Sequence, residues 1–175
     1  KVDKVVNYEE FMKEIYTYNR EIIDKEANRY FFIINPKAIK INNSPKMEIK
    51  ASIYPGREDA KSKTRKFITN DEFLVDDNVD EKTYRFMHLL NFKNKTFLSK
   101  EHDPNLKAKL IDWLPNSNDL VDVEVLMNDG NILKGKGESN LKQLKTGDMV
   151  QFERKFFARL DSEEGNKMTF YFTHK

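Results

Sequence analysis

Alternation of apolar and polar residues with a period of two runs through much of this chain. Such alternation turns every second side chain to one face of a β-strand, so it strongly constrains the fold. It is clearest over residues 47–53, 121–125 and 168–172. Asp129 and Gly130 follow the second run, and an Asp-Gly pair tolerates the positive φ that a tight hairpin turn needs. Strands about ten residues apart, with turns between them, predict an antiparallel barrel or sandwich.

One helix is predicted near the start of the chain, over residues 7–24. Asn7 is a favourable N-cap residue, and apolar side chains recur after it at helical spacing, at Phe11, Ile15, Tyr18 and Ile22. We expect this apolar stripe to serve ordinary packing. The predicted fold is therefore all-β with a helical lead-in.

The composition excludes several kinds of protein. The 175 residues suffice for one domain or two small ones, and the absence of cysteine excludes disulfides and thiolate metal sites. Three histidines without a nearby partner pattern do not indicate a zinc site. The longest plain apolar run, residues 30–34, is too short to span a bilayer, and the start lacks a signal-peptide core. We expect a cytoplasmic protein with no membrane partner, and the missing initiator Met suggests a cut from a longer polypeptide.

Charge is nearly balanced in this chain, with 31 Lys and Arg against 29 Asp and Glu, so the total neither supports nor excludes RNA binding. Its distribution is uneven, because basic residues crowd one segment and acidic residues crowd the next, at positions 71–81. One interpretation is a pair of solvated loops. The other is a basic strip that gains free energy by releasing the counterions of a nucleic acid, with Lys61, Lys63 and Arg65 contacting phosphates.

Two groups of motifs at opposite ends of the chain resemble one known family. The sequence QFER at residues 151–154 is followed by FARLD at 157–161 and by THK at 173–175. Near the other end, NREIID occupies residues 19–24 and ANRYFF residues 27–32. In this order they resemble the C-terminal anticodon-binding region of archaeal-type glutamyl-tRNA synthetases, class I enzymes related to the glutaminyl-tRNA synthetases.

The resemblance implies a fold of two small antiparallel β-barrels, with the outer barrel inserted in the sequence of the inner one. Carried onto this chain, residues 1–28 would be a helical connector to a catalytic domain that this chain lacks. The inner barrel would take residues 29–44 and 116–175, and the outer barrel residues 45–115.

The resemblance also implies a function. The parent enzyme would attach glutamate to tRNA(Glu), using ATP and magnesium, and whether it also charges tRNA(Gln) stays open. The chain itself contains neither the HIGH-like and KMSKS-like motifs with which class I synthetases bind ATP nor a GxxxxGK[ST] phosphate loop. We therefore predict a fragment without catalytic residues, metal or cofactor, whose partners are the tRNA and its own N-terminal catalytic domain.

Reading an anticodon requires amide and guanidinium groups beside aromatic rings, because the bases of this loop are single-stranded and unstacked. By resemblance, Gln151 and Arg154 contact the middle base, a uridine, and Arg29 is a further anticodon contact. Residues three apart face opposite sides of a regular strand, so Gln151 and Arg154 reach one base only if the strand ends or bulges between them. Lys107 and Lys109 would meet phosphate or the first or last anticodon base.

A few residues near these motifs carry further expectations. Trp113, the only tryptophan, is expected in the core rather than as a stacking platform, and His174 is expected to pack rather than to catalyse. Lys155 and Phe156 stand where the family usually has an aromatic residue and a glycine, which allows the backbone there to turn differently. Tyr54 replaces an expected histidine.

Two other interpretations stay open. A glutaminyl-tRNA synthetase shares both barrels, and the shared uridine contact does not separate the two enzymes. From another class, the chain could be a β-barrel protein-interaction module that binds no RNA. The QFER run would then be structural, with Glu153 and Arg154 in a surface ion pair and Gln151 facing water.

Overall fold

The computed structural model describes residue 5 and residues 7–54 and 63–175. Helix α1 (Tyr8–Ile23) confirms the predicted helix. Asn7 caps it, because its Oδ1 accepts a hydrogen bond from the backbone N–H of Glu9 at 2.9 Å. Lys61, one of the predicted phosphate contacts, lies outside the described residues.

Strands make up most of the rest of the described chain, which confirms the predicted all-β fold with an N-terminal helix. Two short 3-10 helices, Pro104–Leu106 and Ser139–Gln143, interrupt them. The strands are β1 (Asn28–Tyr30), β2 (Phe32–Ile34), β3 (Lys37–Lys40), β4 (Met47–Ser52), β5 (Thr64–Thr69), β6 (Glu72–Val75), β7 (Thr83–Phe86), β8 (Asn91–Lys93), β9 (Thr96–Ser99), β10 (Lys109–Ile111), β11 (Leu114–Pro115), β12 (Val121–Leu126), β13 (Ile132–Gly137), β14 (Met149–Phe152), β15 (Phe156–Glu164) and β16 (Lys167–His174).

The largest sheet has seven strands in the order β1-β14-β15-β16-β12-β13-β2 and curves into a nearly closed, barrel-like form. Its two edge strands, β1 and β2, are consecutive in the chain and are separated only by Phe31. One short stretch of chain therefore supplies both edges of the sheet and brings its two ends together.

Three smaller sheets use the strands that lie between β2 and β12 in sequence. Their orders are β10-β7-β8-β9, β11-β6-β3 and β4-β5. All the strands of these sheets therefore stand inside one interruption of the seven-stranded sheet. The borders of an inner and an outer barrel at residues 44 and 116 stay a prediction.

Two hydrophobic clusters form the core, and the segment around β1 and β2 contributes to both. Phe31 and Ile33 join the cluster that contains Trp113, whereas Tyr30 and Phe32 join the other. The cause is the period of two, which sends neighbouring side chains of an extended segment to opposite faces. Each fully buried aromatic or aliphatic side chain stabilises the fold by about 1.5–3 kcal/mol relative to exposure. This segment therefore stabilises both clusters.

Candidate nucleic-acid interface

Arg29 and Gln151 lie side by side, although they come from opposite ends of the chain. They are register partners in the parallel pair of β1 and β14. Val150 and Phe152, the strand neighbours of Gln151, are both fully buried. Because side chains alternate along a strand, the amide of Gln151 and the guanidinium of Arg29 share the outward face, where both are partly exposed.

Contacts from two other elements hold the Arg29 guanidinium. It lies over the ring of Tyr54, with Cζ 4.9 Å from the ring centroid, and its Nη2 is 3.9 Å from Oδ1 of Asp24. The Tyr54 hydroxyl donates a hydrogen bond to Oδ2 of Asp24 at 2.9 Å, which joins the three side chains into one unit. Such a cation–π contact is worth about 0.5–1 kcal/mol at an exposed site, and here it also orients the guanidinium.

The strand that carries Gln151 ends before Arg154, as a shared base contact requires. β14 stops at Phe152, β15 begins at Phe156, and the residues between them form the turn of a hairpin. Arg154 adopts a left-handed backbone conformation, with φ of 61°, which is uncommon for any residue other than glycine. The unusual backbone conformation therefore falls on Arg154 rather than on Phe156.

The charged residues of this turn are paired, but not with each other. Nη1 of Arg154, whose side chain is 42% exposed, is 3.2 Å from Oδ1 of Asp112. Nζ of Lys155 is 3.0 Å from the other oxygen of Asp112 and 2.7 Å from Asp76. Glu153 instead points inward. The alternative in which QFER is purely structural expects a surface ion pair between Glu153 and Arg154. In the structure these two side chains have other partners instead.

Arg65 is buried in a cluster with two carboxylates. Its side chain is 1% exposed, with Nη1 2.8 Å from Oε2 of Glu138 and Nη2 paired with Oε1 of Glu153. Burial lowers the pKa of Arg65, but the two carboxylates outweigh burial and the pKa is raised overall. Since a phosphate could reach this guanidinium only after both pairs broke, we do not carry forward the predicted phosphate contact at Arg65.

The lysines predicted to contact RNA are on the surface. Lys63 is exposed just before β5. Lys107 and Lys109 are exposed and line an open cleft of about 680 Å³ beside β7 and β8. Nζ of Lys109 is 2.5 Å from Oδ1 of Asp77, and that hydrogen bond raises the pKa of Lys109, while the nearby charge of Arg154 opposes the rise. Asp77, the partner of Lys109, lines a small pocket together with Arg154, a neighbourhood that the sequence did not show.

Trp113 and His174 are core residues, as expected. Trp113 is fully buried and its Nε1 donates to the backbone oxygen of Met87 at 2.8 Å. His174 is buried and stacks on Phe157, with ring centroids 4.4 Å apart. Burial lowers the pKa of His174, so its imidazole is neutral near pH 7.

Sequence reasoning missed three buried acids. Asp112 is 4% exposed, Glu138 is 1% exposed and Glu153 is 5% exposed. Asp112 stands alone between Ile111 and Trp113, both fully buried. A single acid inside an apolar run predicts a buried ion pair, because a buried carboxylate needs a cationic partner.

No metal or membrane feature adds to this surface. Across the residues that the structure describes, no group of three or more His, Cys, Asp or Glu side chains could hold a metal ion. In the same part of the chain, no helix combines the length and the apolar character needed to cross a membrane.

The fold and this surface define a β-barrel-like binding domain whose outward amide and guanidinium groups suit unstacked bases. Two family models match, both described as "tRNA synthetases class I (E and Q), anti-codon binding domain", over residues 27–111 and 76–161. The chain belongs to this family of anticodon-binding domains, which confirms the resemblance carried by the motifs.

Curated relatives agree with the family. The chain is 36% identical over 173 residues to a glutamate–tRNA ligase of Methanobrevibacter smithii, covering 93% of this chain and 30% of that protein. It is 34% identical over 175 residues to the glutamate–tRNA ligase of Methanocaldococcus jannaschii, covering 93% of this chain and 31% of that protein. The chain therefore spans less than a third of the length of these relatives.

Proposed function

We propose that this chain is the anticodon-binding part of a glutamate–tRNA ligase, an enzyme that joins glutamate to tRNA(Glu) in the cytoplasm with ATP and magnesium. The observation that carries the proposal is the register pairing of Arg29 with Gln151, followed by the end of β14 before Arg154. Relatives named glutamate–tRNA ligase support the choice of amino acid. A domain of this kind selects the tRNA, and the chemistry belongs to the remainder of the enzyme.

The proposed reading site faces the middle anticodon base with three side chains. The Gln151 amide supplies a donor and an acceptor, and the guanidiniums of Arg29 and Arg154 supply planar sets of donors. These groups match the pairing edge of a base that has been splayed out of its stack. A wrong base would leave a donor or an acceptor of these side chains unpaired. Because the β-sheet is rigid, the side chains could not shift to compensate, which favours discrimination between bases.

Around the reading site, exposed lysines are proposed to hold the RNA backbone. Lys63, Lys107 and Lys109 are the described members of this set, and Lys61 is kept in it from the sequence alone. Phosphate contacts fix the position of the RNA but carry no base information. Lys107 and Lys109 also stay candidates for contacts to the first or last anticodon base.

Helix α1 is proposed to pack against the N-terminal catalytic part of the same enzyme. Its predicted apolar stripe is largely exposed here, with Tyr18 73%, Ile22 64% and Phe11 49% accessible. Contiguous exposed apolar side chains are typical of interaction sites. The curated relatives are more than three times as long as this chain, so a further part of the enzyme is available to cover the stripe.

The family description covers enzymes for both glutamate and glutamine, so an enzyme that also charges tRNA(Gln), or a glutaminyl-tRNA synthetase, is the second candidate. It is distinguished by charging assays of the complete enzyme with each amino acid and each tRNA.

The proposed function is tested by the salt dependence of RNA binding. The chain is titrated with the anticodon stem-loop of tRNA(Glu) from about 50 to 200 mM salt, a range over which binding through phosphate contacts weakens steeply. We expect the logarithm of affinity to fall with the logarithm of salt, with a slope of roughly −0.7 for each phosphate neutralised on a single strand. A flat response would favour the protein-interaction alternative. Equal affinity for a stem-loop of unrelated loop sequence would show RNA binding without anticodon selection and would contradict the proposed function.

A further inference from the structure

The turn that presents Arg154 is fixed by the protein on both sides. The backbone N–H of Glu153 donates to the oxygen of Tyr30 at 2.9 Å, and that of Lys155 donates to the oxygen of Phe152 at 3.0 Å. The backbone of Arg154 therefore has a defined place. Its long side chain leaves the turn toward solvent, and a flexible arginine loses considerable entropy when a ligand orders it.

Asp112, which contacts this side chain, comes from a distant part of the sequence. It lies between β10 and β11, strands that belong to two different sheets, and the core residues Ile111 and Trp113 hold its backbone. One carboxylate oxygen accepts a hydrogen bond from Nη1 of Arg154 at 3.2 Å, and the other accepts one from Nζ of Lys155 at 3.0 Å.

Lys155 has a second partner, which separates its role from that of Arg154. Burial lowers the pKa of Lys155, but Asp112 and Asp76 outweigh burial and raise it overall, so its ammonium stays charged. If Asp112 became neutral, Lys155 would still have Asp76 at 2.7 Å. The described contacts of Arg154, by contrast, contain one ion pair, that with Asp112.

We propose that Asp112 is a positioning residue that sets the guanidinium of Arg154 for base recognition, an inference that rests on the proposed function. A guanidinium has five N–H donors, so one contact to Asp112 leaves donors for a base edge. Holding the fork in place before the RNA arrives reduces the entropy lost on binding. The carboxylate thereby connects the sheets of the central segment to the QFER turn.

The geometry also defines the opposite possibility, that Asp112 competes with RNA for Arg154. The two roles predict opposite signs. A positioning carboxylate improves the preference for the correct base, whereas a competing carboxylate weakens the binding of every RNA.

The test compares Asp112→Asn with Asp76→Asn in the complete ligase. Asp76→Asn is the matched control, because it removes a carboxylate from the same lysine without touching Arg154. Each enzyme is assayed for kcat/KM with tRNA(Glu) and with the same tRNA carrying cytidine at the middle anticodon position. Thermal unfolding is recorded in parallel.

For Asp112→Asn we expect the ratio of the two kcat/KM values to fall by about 2- to 12-fold, the cost of ordering one flexible side chain. For Asp76→Asn the ratio should stay at the wild-type value. In an Arg154→Ala background, Asp112→Asn should have no further effect on the ratio. If Asp112→Asn does not fold, Asp112→Glu replaces it, since it keeps the charge but displaces the carboxylate, and the same fall is expected.

An unchanged ratio in Asp112→Asn, with a reduced ratio in Arg154→Ala, overturns the positioning role and leaves the proposed function standing. A higher kcat/KM for both tRNAs in Asp112→Asn also overturns the positioning role and favours competition between Asp112 and RNA. An unchanged ratio in Arg154→Ala instead contradicts the proposed role of Arg154 itself, so the two failures are distinguishable.

Discussion

Arg29 and Gln151 are register partners on the parallel strands β1 and β14, and their side chains share one outward face. This pairing unites the two groups of motifs that stand far apart in the sequence. It also makes each residue the neighbour of the other at a distance set by the sheet rather than by a flexible loop, which is the arrangement expected of a precise binding site.

The first prediction concerns coupling between these two residues. Arg29→Ala and Gln151→Ala should be non-additive in their effects on anticodon stem-loop affinity, with a coupling of about 0.5–3 kcal/mol, because both address one ligand group. A double-mutant cycle by titration calorimetry measures it. The matched control pair is Gln151→Ala with Lys63→Ala, for which additivity is expected. Additivity in both cycles would contradict a shared contact.

The second prediction concerns the buried cluster around Arg65. Arg65→Met should reduce the free energy of unfolding by about 3–5 kcal/mol, because it leaves Glu138 and Glu153 buried without their cation. Urea denaturation measures the change. Lys66→Met, at an exposed position on the same strand, should change stability by no more than about 0.5 kcal/mol.

The same pair of variants decides the role of Arg65. Unchanged stability in Arg65→Met together with weaker RNA binding would restore Arg65 as a phosphate contact. A loss of stability, with no change in how the RNA affinity of the folded protein depends on salt, supports a structural role for Arg65.

The third prediction is a pH dependence caused by His174. Burial, aided by the charge of Arg20 and opposed by Asp24, holds the pKa of His174 below its ordinary value of 6.5. The unfolded chain therefore takes up the proton at higher pH than the folded chain, and the free energy of unfolding falls as the pH drops below 6.5. Urea unfolding at a series of pH values from neutral downward measures this dependence.

His174→Phe keeps the stacking on Phe157 and should flatten this dependence. His102→Gln, which replaces an exposed histidine, should leave it as in the wild type. A wild-type slope in His174→Phe would show that other groups are responsible.

The fourth prediction is that the chain by itself has no ATP–pyrophosphate exchange and no aminoacylation activity. The class I ATP-binding motifs do not occur in its sequence. Purified chain is assayed with glutamate, ATP, magnesium and tRNA(Glu), beside a complete archaeal glutamate–tRNA ligase as positive control. Exchange by a contaminant-free preparation contradicts the assignment of the chain as non-catalytic.

Local patterns predicted the fold class, the helix and part of the strands. The period of two over residues 47–53, 121–125 and 168–172 predicted β4, β12 and β16, and the Asn7 cap with its apolar spacing predicted the helix. These features depend on neighbours in sequence, and local geometry decides them. The motif QFER predicted a site whose scaffold, a strand that ends at Phe152, has the form that the contact requires.

Other features could not be predicted because distant residues decide them. Arg65 stands among basic residues and looks like a surface cation, yet Glu138 and Glu153 neutralise it in the interior. The pairing of Asp112 with Arg154 likewise depends on how the smaller sheets lie against the hairpin. No local spacing encodes either contact.

Base discrimination is the sharpest test of whether Gln151 reads the middle anticodon base. The affinities of wild-type chain, Gln151→Ala and Lys63→Ala are measured for the tRNA(Glu) anticodon stem-loop and for one with cytidine in place of the middle uridine. We expect Gln151→Ala to lose about 1–3 kcal/mol of discrimination between the two RNAs, the usual value of a two-point base contact. Lys63→Ala should weaken both alike, because phosphates carry no base information. Equal loss for both RNAs in Gln151→Ala, or no loss, would show that Gln151 does not read this base.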